Sequence, residues 1–278
     1  MSLRFYDAHN HLQDERFGGR QMELLSACAR EGVACMVVNG SCEEDWPRVL
    51  SLARSAVEPA ATRIIPSFGF HPWYVHERTA DWQKTLVQLL DQVPSAVGEI
   101  GLDRWKPDLP YDGQEEVFIA QLRMAAERNL PVSIHCLQAW GRMLEILKFE
   151  PRPARGFLLH SYGGPKEMVR PFTDLGAYFS LPGYYAHERK ERQREAFKHV
   201  PGERLLIETD APDQMLPEMR NNFGNRMVYS LTDATGKALN HPANLAAVYA
   251  FAAGLFGESL ESLAVRVEKN FLRLFGGL

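Results

Sequence analysis

Hydrophobic and polar positions along this chain switch between two patterns. Apolar runs of strand length occur at 3–9, 33–40, 63–71, 95–103, 131–136, 156–161, 176–181 and 204–210. Several are near-continuous, such as Cys35-Met36-Val37-Val38 and Leu205-Leu206-Ile207, which is how parallel strands covered on both faces read. Longer stretches with helical periodicity lie between them, at 22–30, 43–56, 82–92, 140–148, 166–174 and 188–199. The clearest helix begins at Asp112, expected to cap while Glu115 reaches back as a capping box. It then places Val117, Phe118, Leu122, Ala125 and Ala126 on one face and stops at Asn129. Two further helices, 243–255 and 260–274, are separated by Gly257. Eight strands, each followed by a helix, predict an α/β fold closed as a (β/α)8 TIM barrel, with 1–278 as one domain. An open doubly wound sheet is the competing arrangement, but the first strand is not followed by a glycine-rich phosphate turn.

Composition narrows the picture further. With 278 residues and 45% hydrophobic content the chain can bury a large core, and no linker, repeat or low-complexity segment interrupts it. A net charge of −4 argues against coating nucleic acid by bulk electrostatics, while leaving a local basic groove open. No apolar run reaches the length of a membrane span, and Met1-Ser2-Leu3-Arg4-Phe5 has no signal-peptide core, so a cytosolic protein is expected. Cys28, Cys35, Cys42 and Cys136 have no zinc-finger spacing and read as small buried residues. Cys136, next to His135, is the one candidate reactive thiol.

The polar residues that interrupt the strands carry the chemistry. His9 and His11, at i and i+2 on an extended segment, project from one face and suit a single metal ion. Glu99, His135, His160 and Asp210 each sit in or at the end of another apolar run. Each alone has a plain explanation, a histidine bonded to a carbonyl or an acid paired with a base. In a barrel, however, all these strand ends face one mouth. Glu99 lies between Gly98 and Gly101 in a buried strand, where an unpaired charge is very costly and the glycines permit close approach. Four histidines and two carboxylates converging there point to metal.

The chain resembles the TatD family of metal-dependent deoxyribonucleases, within the wider amidohydrolase-like barrels. The resemblance spans essentially the whole sequence. It is carried by Asp7-Ala8-His9-Asn10-His11-Leu12, Gly69-Phe70-His71-Pro72-Trp73, Gly98-Glu99-Ile100-Gly101-Leu102-Asp103, Leu130 to His135, His160-Ser161 and Glu208-Thr209-Asp210-Ala211-Pro212. Asn240 to Leu245, Asn270-Phe271 and Leu274-Phe275 also fit. It implies that His9, His11 and Asp210 hold one divalent ion, that His135 and His160 hold a second, and that Glu99 bridges them. It also implies supporting or substrate-contacting roles for His71, Asp103 and Glu208. Three departures bear on the substrate pocket: Gln13 where the family usually has an acid, Ser161-Tyr162-Gly163-Gly164 where Cys-Phe-Ser-Gly is common, and a long connection from Asp213 to Leu239.

Two divalent ions (zinc, magnesium or manganese) about 3.5 to 4 Å apart would activate water and clamp a phosphodiester, with Asp210 as the best general base. DNA is the expected substrate, and neither a membrane nor an obligate protein partner is expected. A small-molecule amidohydrolase, lactonase or phosphoesterase could share the ligands, and a barrel with a purely structural metal is the third reading. Positive charge at the mouth separates the first two. Its candidates are Arg104 and Lys106 after strand four, and Arg189, Lys190, Arg192 and Arg194 after strand seven, interleaved with Glu188, Glu191 and Glu195 in the manner of a solvated helix face. The 213–239 connection is expected to act as a lid, with Arg220, Arg226 and Lys237 for phosphates, Asn221, Asn222 and Asn225 for hydrogen bonds, and Phe223 and Tyr229 for stacking. A hairpin packed on the rim through Met227, Tyr229 and Leu231 is the alternative.

Overall fold

The computed structural model describes residues 3–55, 62–218 and 228–278. Eight strands form one sheet in the order of the sequence: β1 (Phe5–Asn10), β2 (Val33–Asn39), β3 (Arg63–Phe68), β4 (Ala96–Asp103), β5 (Val132–Leu137), β6 (Phe157–Leu159), β7 (Ala177–Pro182) and β8 (Leu205–Glu208). Every neighbouring pair is parallel. Such pairing demands a crossover between strands, and α1 (Gln21–Arg30), α2 (Trp46–Ser55), α3 (Trp82–Gln92), α4 (Gln114–Arg128), α5 (Trp140–Phe149), α6 (Val169–Asp174) and α7 (Glu191–Phe197) supply it. The predicted barrel is therefore present, and the strands are buried along nearly all of their length.

The seam between β8 and β1 closes just past the end of β8. The Asp210 amide donates to the His9 carbonyl at 3.0 Å and the His11 amide to the Ala211 carbonyl at 2.8 Å. Asp7, fully buried, reinforces the seam by accepting from the Thr209 amide at 3.0 Å and the Thr209 hydroxyl at 2.6 Å. Two of the residues that the sequence picked out for metal, His9 and Asp210, are thus held together by backbone bonds.

The last two helices, α8 (Leu245–Phe256) and α9 (Leu260–Phe275), pack on this seam. The Tyr249 hydroxyl bonds the Tyr6 backbone, and Asn270 donates to the Gly202 and Leu205 carbonyls. No single described helix is long and apolar enough to cross a membrane.

Glycine matters most where β4 meets β5. A Cβ on Gly101 would stand 1.9 Å from the His135 carbonyl oxygen, and Gly101 also has φ +151°. The close approach is between backbones, and it sets Glu99 and His135 on adjoining strands. Gly101→Ala should lower stability by at least ~3 kcal/mol, the upper end of overpacking costs, because the obstruction is backbone that cannot rotate away. An unchanged urea midpoint would contradict that.

Local expectations at several ends are corrected. Helix α4 is preceded by Gly113 with φ 89°, and no side chain caps it, so Asp112 is not the cap. Glu115 is drawn away to Arg142 on α5, at 2.9 and 2.7 Å, so a tertiary ion pair replaces the capping box. Helices at 166–174 and 188–199 each begin as a 3-10 turn, at Lys166–Met168 and Glu188–Lys190. Part of the 213–239 connection is a hairpin, β9 (Ser230–Thr232) antiparallel to β10 (Ala238–Asn240). Arg220, Asn221, Asn222, Phe223, Asn225, Arg226 and Met227 lie outside the described residues.

Candidate metal centre and its mouth

Glu99 is the pivot of the site. Its Oε2 lies 3.4 Å from His9 Nε2 and 3.2 Å from His11 Nε2, while Asp210 Oδ1 lies 3.7 and 3.6 Å from the same two nitrogens. Its other oxygen, Oε1, lies 2.8 Å from His135 Nδ1, 2.8 Å from His160 Nε2 and 3.4 Å from His71 Nε2. One carboxylate therefore turns a different oxygen to each of two imidazole sets. Ligand-type atoms fall within 4.8 Å of one another in three groups: His9, His11 and Glu99; His9, His160 and Asp210; His71, Glu99 and His135.

The far nitrogens of these rings fix the near ones. His9 Nδ1 is 2.7 Å from the Ser133 hydroxyl, His11 Nδ1–H donates to the Asn39 carbonyl at 2.8 Å, and His135 Nε2–H donates to Asp103 Oδ2 at 3.0 Å. A ring that donates through one nitrogen presents a lone pair on the other, which is the arrangement metal-binding histidines adopt. The donor set thus fits divalent metal: imidazole nitrogens for zinc, and carboxylates for zinc, manganese or magnesium. His160 Nδ1 is the exception, buried with no hydrogen bond and 3.9 Å from Glu208 Oε1. Asp103→Asn should weaken metal binding on the His135 side by about 10- to 100-fold, as loss of outer support does elsewhere. Competition with a chelator dye measures it, and unchanged affinity would remove Asp103 from that role.

Electrostatics show what the cluster demands. Burial opposes charge on Glu99, but His160, His71, His9 and His11 around it hold its carboxyl well below the usual range. Burial also opposes charge on His11, yet Glu99 and Asp210 outweigh it and push that imidazole up to about 10. His135 goes up to about 9 in the same way, through Asp103 and Glu99. Burial wins at His9, held well down, and at His71, lowered to about 4. It also pushes Asp210 up to about 7 and Glu208 up to about 8. The buried carboxylates call for positive charge, and protons fill that need when cations do not.

Above the cluster opens a cavity of about 840 Å³. Its floor includes His11, His71, Glu99, His135, His160 and Asp210. Asp103 and Glu208 do not line it. Asp103 is fully buried and also accepts from the Trp73 indole at 2.7 Å and the Trp105 amide at 2.7 Å. Glu208 is fully buried and accepts from the Ser161 amide at 2.7 Å and from the Ser161 and Ser180 hydroxyls. Cys136 lines the cavity, but burial pushes its thiol up and keeps it protonated, against the expectation of a reactive group.

The basic candidates divide. Arg194 donates to the Tyr185 and His187 carbonyls and serves the loop, and Arg104 lies over Tyr111 near Glu115. Lys190 lines the mouth with its Nζ 4.7 Å from the Tyr184 ring centre. Tyr229 is not a lining residue, contrary to its expected stacking role. Its ring stacks on His241 with centroids 4.9 Å apart, and its hydroxyl donates to Glu31 just past α1. Sequence reasoning missed Trp73, Trp105, Tyr184 and Tyr185 at the mouth. The one available signal was their position, just past β3, β4 and β7.

A parallel (β/α)8 barrel whose strand ends bring imidazoles and carboxylates to a shared central glutamate is the framework of a metal-dependent hydrolase. The chain belongs to the family described as TatD related DNase, whose match runs over residues 6–276. It is 30% identical over 273 residues to the 3'-5' ssDNA/RNA exonuclease TatD of Citrobacter koseri, covering 98% of each chain. It is 28% identical over 278 residues to the uncharacterized metal-dependent hydrolase YjjV of Escherichia coli, covering 99% of each. The crystal structure of YjjV superposes with a TM-score of 0.84 over the whole of both chains, at 27% identity. A TatD family hydrolase from Entamoeba histolytica, 18% identical, shares the fold with a TM-score of 0.84, covering 99% of each chain.

Proposed function

We propose that this protein hydrolyses phosphodiester bonds of single-stranded nucleic acid, DNA foremost, using two divalent cations (zinc, manganese or magnesium) held by His9, His11, Glu99, His135, His160 and Asp210. The observation that carries the reading is the split of Glu99, with Oε2 toward His9 and His11 and Oε1 toward His135 and His160. A pair of divalent ions held there would lower the pKa of water and neutralise charge on a phosphate. Asp210 would take the proton of the attacking water, since its carboxylate reaches the mouth beside His9 and His11. Ser133, Asn39 and Asp103 would hold the imidazoles in register as substrate arrives. His71, low in pKa, would stay neutral, and because its Nδ1 accepts from the Trp73 amide at 3.1 Å it would present Nε2–H to Glu99, 3.4 Å away, or to the scissile phosphate. Family membership and the exonuclease names of relatives such as the Citrobacter protein support the choice of substrate.

One observation favours a small substrate instead. The β1 and β2 side of the mouth is acidic, with Asp14, Glu15, Glu44 and Asp45, and its arginines are already paired, Arg16 with Asp14 and Asp213 and Arg48 with Glu15. The deciding experiment is hydrolysis by metal-stripped protein restored with each ion, on single-stranded DNA, single-stranded RNA, duplex DNA and a panel of small esters and lactones. Cleavage of single strands that EDTA abolishes is expected. Activity confined to the small esters or lactones would overturn the nuclease reading.

A further inference from the structure

The mouth is electrostatically lopsided, and among the described residues two lysines, Lys106 and Lys190, rest on aromatic rings at its β4 and β7 rims. On the β4 rim, Lys106 Nζ stands 4.7 Å from the centre of the Trp73 ring, beside Trp105, which is 58% exposed. On the β7 rim, Lys190 Nζ stands 4.7 Å from the Tyr184 ring and 5.7 Å from the Tyr185 ring. Among the described residues neither lysine has a carboxylate within ion-pair distance, whereas Arg16 and Arg48 on the acidic rim do. Both rims are anchored to the imidazole–carboxylate cluster. The Trp73 indole shares Asp103 with His135, and the Tyr185 hydroxyl donates to the carbonyl of Ser161, next to His160.

We propose that these two aromatic–lysine pairs are nucleotide subsites, so that a single strand crosses the mouth from the β4 rim to the β7 rim, over Glu99, and avoids the acidic β1–β2 side. This inference rests on the nuclease reading above. An aromatic face accepts any unpaired base, which gives affinity without sequence preference. An ammonium resting on the same ring is held only by a weak cation–π contact, so an arriving base takes the face and the lysine turns to the adjoining phosphate. Duplex DNA offers no free base face to either ring, so the subsites select single strands. Tyr184 holds its place through Arg189, which bonds its hydroxyl and lies over its ring.

The test is the dependence of KM on substrate length, measured with manganese-restored protein on single-stranded DNA of two, four and eight nucleotides. Wild-type KM should fall as length grows. Tyr184→Ala should raise KM for the octanucleotide about tenfold, with kcat held within about twofold, and so flatten the length dependence. Tyr184→Phe, which keeps the ring, should preserve it. Lys190→Ala and Lys106→Ala should each reduce the slope of log KM against log salt by about one. A shift by the same factor at every length would show a merely structural role and overturn the subsites, as would no shift at all. Wild-type protein that cuts single strands with a KM independent of length would overturn the subsites alone. Failure to cut any single strand would overturn the nuclease reading with them.

Discussion

Glu99→Gln is expected to reduce phosphodiester hydrolysis by about 10³-fold or more, at the upper end of what loss of one preorganised electrostatic group costs. The amide keeps the shape of the side chain but has a single carbonyl oxygen, so it serves one imidazole set and turns an NH2 to the other. In the native protein the two oxygens face the two sets at 3.2–3.4 Å and 2.8 Å. Metal content should fall from the proposed two ions to one or none. Thermal unfolding should show the fold retained, because the substitution removes a buried charge without leaving a cavity. Elemental analysis beside a kinetic assay checks both parts. A variant with full metal and full turnover would remove Glu99 from the shared position.

Asp210→Asn is expected to separate metal holding from chemistry. Asp210 stands 3.6–3.7 Å from His11 and His9, the longest carboxylate approach in that group, and it reaches the mouth where water enters. The asparagine carbonyl can still ligate but cannot accept a proton. At saturating metal kcat should therefore fall by about 10² or more, the scale of a lost general base. Near-normal kcat under those conditions would exclude the role.

The barrel was legible in the sequence because parallel strands buried on both faces are almost wholly apolar, and short runs such as Leu205-Leu206-Ile207 alternate with longer amphipathic stretches along the chain. The cluster was legible for a related reason. A polar residue at the end of such a run faces the common mouth, so His9, Glu99, His135, His160 and Asp210 could be gathered without knowing a single distance. What stayed hidden depended on partners distant in sequence. Asp112 and Glu115 satisfy a local capping rule, but Arg142 competes for Glu115 and Gly113 starts the helix. Tyr229 has the composition of a stacking residue, yet a hydrogen bond to Glu31 holds it elsewhere. Asp7 passed for part of a motif, although its carboxylate fastens β1 to Thr209 beyond β8. The rim pairs Trp73–Lys106 and Tyr184–Lys190 join residues on turns whose paths only the folded chain fixes.

The proposed joining of two metal positions by the Glu99 carboxylate is tested most directly by electron paramagnetic resonance of metal-stripped protein titrated with manganese. The expected result is uptake of two equivalents and, at the second, the spectrum of a spin-coupled manganese pair, which Glu99→Gln abolishes. Saturation at one equivalent with only an isolated six-line manganese signal would contradict the account.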